Sequence, residues 1–164
     1  MSDYLIVVVN RASARFFNLE PVEFPELESG PRMVTRKELD NLEINDFQEM
    51  VTDSKTGRGA APQGGGVHGY DDKRDQHLDE LRRRFAVKVL DQVRRLAKTE
   101  RVRTVILAAS SRMRRFLYPD IETLGRQGIR VHKLSKNMIN FAPQKIHAYL
   151  AQERLVPRKK RVTA

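Results

Sequence analysis

Leu78, Leu81, Phe85, Val89, Val93, Leu96 and Ala97 recur at spacings of three and four residues, which places them on one apolar stripe of an α-helix. Arg82, Arg83, Arg84, Lys88, Arg94, Arg95 and Lys98 fall on the other face. Asp71 or Asp72 can cap this helix, and Asp75 complements the dipole of its first turn. The helix then runs for roughly seven turns. An apolar stripe of that length needs a second layer to cover it, and this requirement governs what the rest of the chain can form.

The strands of that layer are legible as β-branched runs. Tyr4 to Asn10 is nearly continuous, as expected of a strand buried on both faces, and Val102 to Ala109 and Ile129 to Leu134 supply two more. Arg11 to Ala14 reads as a turn into a second strand, Arg15 to Leu19. Pro21 to Glu28 is expected as a third strand at an edge, and Arg36 to Asn41 as a short helix. Glu43 to Ser54 carries no firm signal. Ser110 or Ser111 is expected to cap a helix over Arg112 to Tyr118, with Pro119 breaking it. Ile121 to Gln127 reads as helical, ended by Gly128, and Pro143 opens a last helix reaching Gln152. The prediction is one α/β domain over residues 1–153, a central sheet flanked by helices, with parallel pairing in its second half. Residues 154–164, with Pro157-Arg158-Lys159-Lys160-Arg161, are expected to form a basic tail without fixed structure.

Six of the nine glycines fall between Gly57 and Gly69, immediately before the long helix. Such a run does not stabilise a fold, so it is either a linker or a backbone that approaches a ligand closely. A linker should join two domains, yet residues 1–50 are too poor in periodicity to fold alone. The window is therefore expected as a mobile loop, 55–70, inside one domain. It is not a P-loop, because Val67 and His68 follow Gly66 where lysine and Ser/Thr are needed. Nor does it follow a strand, as a dinucleotide fingerprint must. His68, Asp71, Asp72 and His77 contain no helical ligand pair and read as a capping-rich helix start, so no metal or cofactor is implied. Because a free imidazole titrates near neutrality, His68 is a candidate proton shuttle, but no nucleophile–base pair accompanies it.

The net charge of +10 is unevenly spread. Residues 1–50 hold 5 Lys/Arg against 10 Asp/Glu, whereas residues 51–164 hold 26 against 11. A basic half of this kind favours polyanions. Arg58, Arg82, Arg83, Lys88, Arg94, Arg95, Arg112, Arg114 and Arg115, with Lys159 and Lys160 of the tail, are expected to line a track for an RNA or DNA backbone. Tyr70 is a candidate to stack on a base, and Ser110 and Ser111 lie where α/β proteins often bind anions. The absence of cysteine excludes disulfides and thiolate metal sites and fits a reducing compartment. The amino terminus reads as a core strand rather than a signal peptide, and no apolar run approaches the ~20 residues that span a bilayer. The expectation is a cytoplasmic protein without a membrane partner.

The opening Tyr-Leu-Ile-Val-Val-Val-Asn-Arg-Ala-Ser-Ala-Arg-Phe-Phe, the Gly/His loop and the acidic start Asp71-Asp72-Lys73-Arg74-Asp75-Gln76-His77 come in a telling order. With Thr104 to Ala109 and Leu134 to Met138, that order resembles the bacterial family of proteins required for attachment to host cells, over about residues 4–152. That family is in turn similar to the middle domain of archaeal and eukaryotic class I peptide-release factors and Pelota. The resemblance implies a ribonuclease-H-like fold, a mobile loop before a long helix, and ribosomal RNA, tRNA or the ribosome as partner. In the release factors the loop carries Gly-Gly-Gln and positions water for ester hydrolysis. Here Gln63 precedes Gly64, Gly65 and Gly66, so catalysis by peptidyl-tRNA hydrolysis does not carry over. The expectation is a binding protein rather than an enzyme. The alternatives are an ester hydrolase using Gln63 or His68, and a host-attachment factor acting indirectly.

Overall fold

The computed structural model describes residues 3–47 and 67–161, and over 67–72 the helical backbone alone. Its centre is the parallel pair β1 (Tyr4–Val9) and β4 (Thr104–Ala109), joined from Tyr4 opposite Thr104 to Val9 opposite Ala109. From Leu5 to Val9 and from Val105 to Ala109 every side chain is buried, which is why both strands read as unbroken apolar runs. β2 (Ser13–Glu20) returns antiparallel to β1 after a turn in which Asn10 Oδ1 accepts the amides of Ala12 at 2.9 Å and Ser13 at 2.7 Å. β3 (Arg32–Asp40) pairs antiparallel with β2, and β5 (Arg130–Leu134) pairs parallel with β4. The five-stranded mixed sheet has the order β3-β2-β1-β4-β5.

Alternation sends the two halves of each strand to different helices. Leu5, Val7, Val9, Phe16, Val105 and Leu107 meet α2 (Val67–Thr99) and α3 (Arg114–Ile121). Ile6, Val8, Phe17, Leu19, Ile106 and Ala108 meet Met138, Ile139 and α4 (Pro143–Gln152) on the opposite side. The chain is thus a single α/β domain with helices on both faces of the sheet.

The predicted stripe of α2 lies where expected: Leu78, Leu81, Phe85, Val89, Val93 and Ala97 are buried, and Leu96 is half-buried. Phe85 to Ala97 cover the sheet, whereas Leu78 and Leu81 join Ile44 in a separate cluster. Ile44 belongs to a helical stretch, 42–47, here α1. Because β3, β1 and β4 all end at one edge, α1 and the first part of α2 gather beyond the carboxyl ends of the central strands. A helix of 33 residues is about 50 Å long, more than twice the span of a six-residue strand. Phe47 meets His77 edge-on there, with ring centroids 4.7 Å apart.

Several expectations need correction. Pro21 to Glu28 is a turn segment, and the third strand is β3, which includes the Arg36 to Asp40 stretch expected as helix. β3 is held by backbone pairing to β2 along an exposed edge, so it shows little apolar periodicity. α2 begins at Val67, four residues before Asp71, so neither Asp71 nor Asp72 is its cap. α3 begins at Arg114 with Met113 as N-cap and no side-chain cap, so Ser110 and Ser111 do not serve it. Pro119 lies inside α3 without ending it, because buried Leu117 and Ile121 keep the helix on the core. The tail is ordered to Arg161: the Lys160 amide donates to Gly30 O at 2.9 Å and the Gly30 amide to Lys160 O at 3.2 Å. Gly128 closes the 3₁₀ segment Glu122–Gln127 with φ 83°, and Pro143 opens α4, both as predicted.

Asn18 of β2 is fully buried, and neither its Nδ2 nor its Oδ1 finds a hydrogen-bond partner among the described residues. An unpaired buried amide costs on the order of 1–3 kcal/mol. Asn18→Val keeps the volume and suits a strand, so it should raise the unfolding free energy by about 1 kcal/mol in urea titrations. A lower denaturation midpoint would contradict this account of the site.

Candidate nucleic-acid interface

The arginines of α2 mostly have acidic partners one turn away on their own helix. Arg83 Nη1 lies 2.7 Å from Glu80 Oε2 and Arg95 Nη2 3.0 Å from Asp91 Oδ2, while Arg84 reaches Glu43 at 3.3 Å and Glu80 at 3.6 Å. Arg82, expected on the basic face, is instead buried, with Nη1 2.7 Å from Asp79 Oδ1 and Nε without a partner. Its position between Leu81 and Phe85 of the stripe accounts for that burial. Asp79 also accepts from Arg115 of α3, so one carboxylate clasps two guanidinium groups from two helices. Arg115 and Arg83 approach the Phe116 ring at 4.6 and 5.7 Å. Burial alone would raise the Asp79 carboxyl, but hydrogen bonds and charge from Arg115 and Arg82 outweigh it and hold the group below its ordinary value.

On this side Lys88, Arg94, Lys98 and Arg112 are exposed and make no ion pair among the described residues. Arg114 turns inward, its Nε 3.4 Å from Ala109 O. Arg58, Gln63, Gly64, Gly65 and Gly66 lie outside the described residues, and so does most of the predicted 55–70 loop. Val67 to Tyr70 of that loop are helical; the side chains of His68 and Tyr70 are not described.

The other face of the sheet carries cations of a different kind. α4 contains no acidic residue. Lys136, just after β5, stands 4.4 Å from the Tyr149 ring and 5.8 Å from Phe141, and Lys145 of α4 stands 4.1 Å from Phe141. Both rings are half-buried, and neither lysine has an acidic partner among the described residues. Next to them, between β3 and α4, lies a cleft of about 530 Å³. Met33, Pro143, Ala148 and Ala151 give it an apolar floor, Gln144 and Gln152 add amides, and Arg32, Arg158, Lys159 and Arg161 form the rim. No carboxylate lines it, and none of the four rim cations makes an ion pair among the described residues. The tail strand that supplies three of them is fixed by the Gly30–Lys160 bridge and by His147, whose Nε2 lies 2.8 Å from Pro157 O. Lys160 faces a second hollow of about 320 Å³ on the far side of that strand.

The structure therefore divides the predicted track. Arg83, Lys88, Arg94, Arg95, Arg112 and Arg115 stay with the α2–α3 side, and the tail emerges from the α4 side, where Val156 joins the core. Arg32, Lys136, Phe141, Lys145 and Tyr149 were absent from the predicted track. Their signal was present in the sequence: an acid-free helix in which Lys145 stands four residues before Tyr149, with Phe141 just ahead of the helix. Among the described residues no group of three or more His, Cys, Asp or Glu is placed to hold a metal ion. No described helix is long and apolar enough to cross a membrane.

Residues 5–150 match the family model described as "Protein required for attachment to host cells". No curated protein matches the chain.

The Asp79 clasp has a testable pH dependence. Its carboxyl is lowered in the fold from 3.8, so its contribution is present above that value and is lost as pH falls through the lower folded one. Asp79→Asn leaves Arg82 buried without its anion and should cost about 1–3 kcal/mol at neutral pH. The gap between wild type and variant should narrow as denaturation is measured at falling pH. A gap that stays constant down to strong acid would remove the clasp from the stability argument.

Proposed function

The chain belongs to the family of proteins required for attachment to host cells, and we propose that it acts as an RNA- or ribosome-binding protein related to the middle domains of translation release and rescue factors. The carrying observation is the α4 face. Lys136, Lys145, Arg32, Arg158, Lys159 and Arg161 have no acidic partner among the described residues, and two half-buried aromatic rings lie among them. Cations already neutralised within a protein release few counterions from a polyanion, so unpaired ones dominate the affinity. By that criterion the α4 side, where none of these six cations is paired among the described residues, is favoured over a helix in which Arg82, Arg83, Arg84 and Arg95 are paired. Half-buried rings with cations overhead suit RNA, whose single-stranded bases stack on aromatic and guanidinium planes.

The kinship rests on topology. A sheet of order 3-2-1-4-5, in which only β2 runs against the rest, supports a ribonuclease-H-like assignment. A long helix after the third strand, directly behind a glycine window, supports relation to the release-factor middle domain. The central strands β1 and β4 carry no carboxylate, which favours binding over nucleic-acid cleavage at the sheet. Attachment to host cells is then a downstream consequence of an activity on RNA or the ribosome.

Sedimentation with ribosomes across a salt series tests this reading. Pelleting should be strong at low salt and fall steeply as salt rises. Lys136→Ala with Lys145→Ala should weaken it severalfold, whereas Arg83→Ala, which removes an already paired cation, should change it little. Protein remaining at the top of a gradient at low salt would sink the proposal.

A further inference from the structure

The cleft between β3 and α4 has a shape that a phosphate track alone does not need. Its rim is cationic, but its floor is apolar: Met33, Pro143, Ala148 and Ala151. Its volume of about 530 Å³ falls within the range of roughly 300–1,000 Å³ typical of small-molecule sites. A duplex presents its phosphates outward and keeps its base faces stacked, so it can engage the rim and leave the floor bare. Taking a paired base out of a helix costs a few kcal/mol, whereas a single strand offers its bases nearly free. The lining matches an unstacked nucleotide part by part. A thioether packs well against an aromatic face, the amides of Gln144 and Gln152 can donate to or accept from a base edge, and the rim cations meet the flanking phosphates.

The cleft is also continuous with the aromatic patch. Ala148 lies three residues after Lys145 and four after Gln144, and Gln152 lies three after Tyr149. Helical neighbours at these spacings share one surface, so a strand leaving the cleft passes directly over Lys145 and Tyr149. We propose that the cleft receives one unstacked nucleotide of single-stranded RNA, with its base on Met33 and Ala148 and its adjoining phosphates against Arg32, Arg158, Lys159 and Arg161. This assignment rests on the RNA reading above and narrows it: the partner is single-stranded where it meets α4.

The experiment uses the full chain and two fluorescent probes, an unstructured RNA of about a dozen nucleotides and the same strand annealed to its complement. Anisotropy titrations should give about tenfold tighter binding to the single strand. The double variant Gln144→Leu, Ala148→Leu fills the cleft from two exposed helix positions and removes one amide. It should abolish that preference, lowering single-strand affinity about tenfold to the level of the duplex, with circular dichroism verifying the fold. Lys145→Ala, by contrast, should weaken both probes. A 2-aminopurine within the single strand should brighten on binding wild type, as it leaves its neighbours, and should not brighten with the double variant. Equal binding of both probes, with no effect of the double variant, would overturn the cleft assignment and leave the RNA reading standing. Binding of neither probe at low salt would overturn both.

Discussion

The parallel pairing of β1 with β4 is the constraint on which the rest of the molecule depends. These strands are 100 residues apart at their aligned positions, Leu5 opposite Val105 and Val9 opposite Ala109 in one continuous register. Each has both faces buried, so the pair cannot exist without a helix layer on either side. A parallel connection needs a crossover, and α2 is that crossover. The long helix therefore answers a topological demand: it must carry the chain from the carboxyl edge of the sheet back to the amino end of β4. Its length exceeds that demand, and the surplus places Val67 to His77 beyond the sheet edge.

The same pairing separates the charge. Odd positions of β1 and β4 face α2 and α3, and even positions face α4, so cations adjacent in any tally of basic residues end on opposite sides of the sheet. On the α2 side the helix carries its own acids. Asp79, Glu80 and Asp91 each stand three or four residues before an arginine, which makes a helical pair worth a few tenths of a kcal/mol and withdraws the charge from any partner. α4 has no such acids, so its Lys145 keeps an unbalanced charge. A count of basic residues alone thus overlooks that Arg82, Arg83, Arg84 and Arg95 of α2 are paired, whereas Lys145 of α4 is not paired among the described residues.

How much of this was legible in the sequence follows from where each element gets its stability. β1, β4, α2 from Leu78 onward and α4 are stabilised by burying their own side chains, so their apolar periodicity shows them almost to the residue. β3 and the tail strand are stabilised by backbone hydrogen bonds to a neighbour, and such bonds leave no trace in side-chain pattern. Arg36-Lys37-Glu38-Leu39 even has good helical propensity, which pairing with β2 overrides. The intrahelical ion pairs were readable from spacing alone. The cleft was not, because its walls come from residues 31–33, 143–152 and 158–161, and only tertiary structure brings these together.

This distribution bears on how the α4 face acquires its order. Gly30 is buried, and a Cβ there would meet Val22 Cγ1 at 2.4 Å, so the residue that receives Lys160 has no room for a side chain. The bridge it makes aligns Arg158, Lys159 and Arg161 along the cleft at the cost of ordering a short, strongly basic strand against its own repulsion. Two backbone hydrogen bonds and the His147–Pro157 contact offset that cost without an ion pair to Arg158, Lys159 or Arg161 among the described residues. A tail held by carboxylates would be equally ordered but electrostatically silent. Holding it by backbone carbonyls and amides keeps the charge unpaired, which is the condition a polyanion site requires.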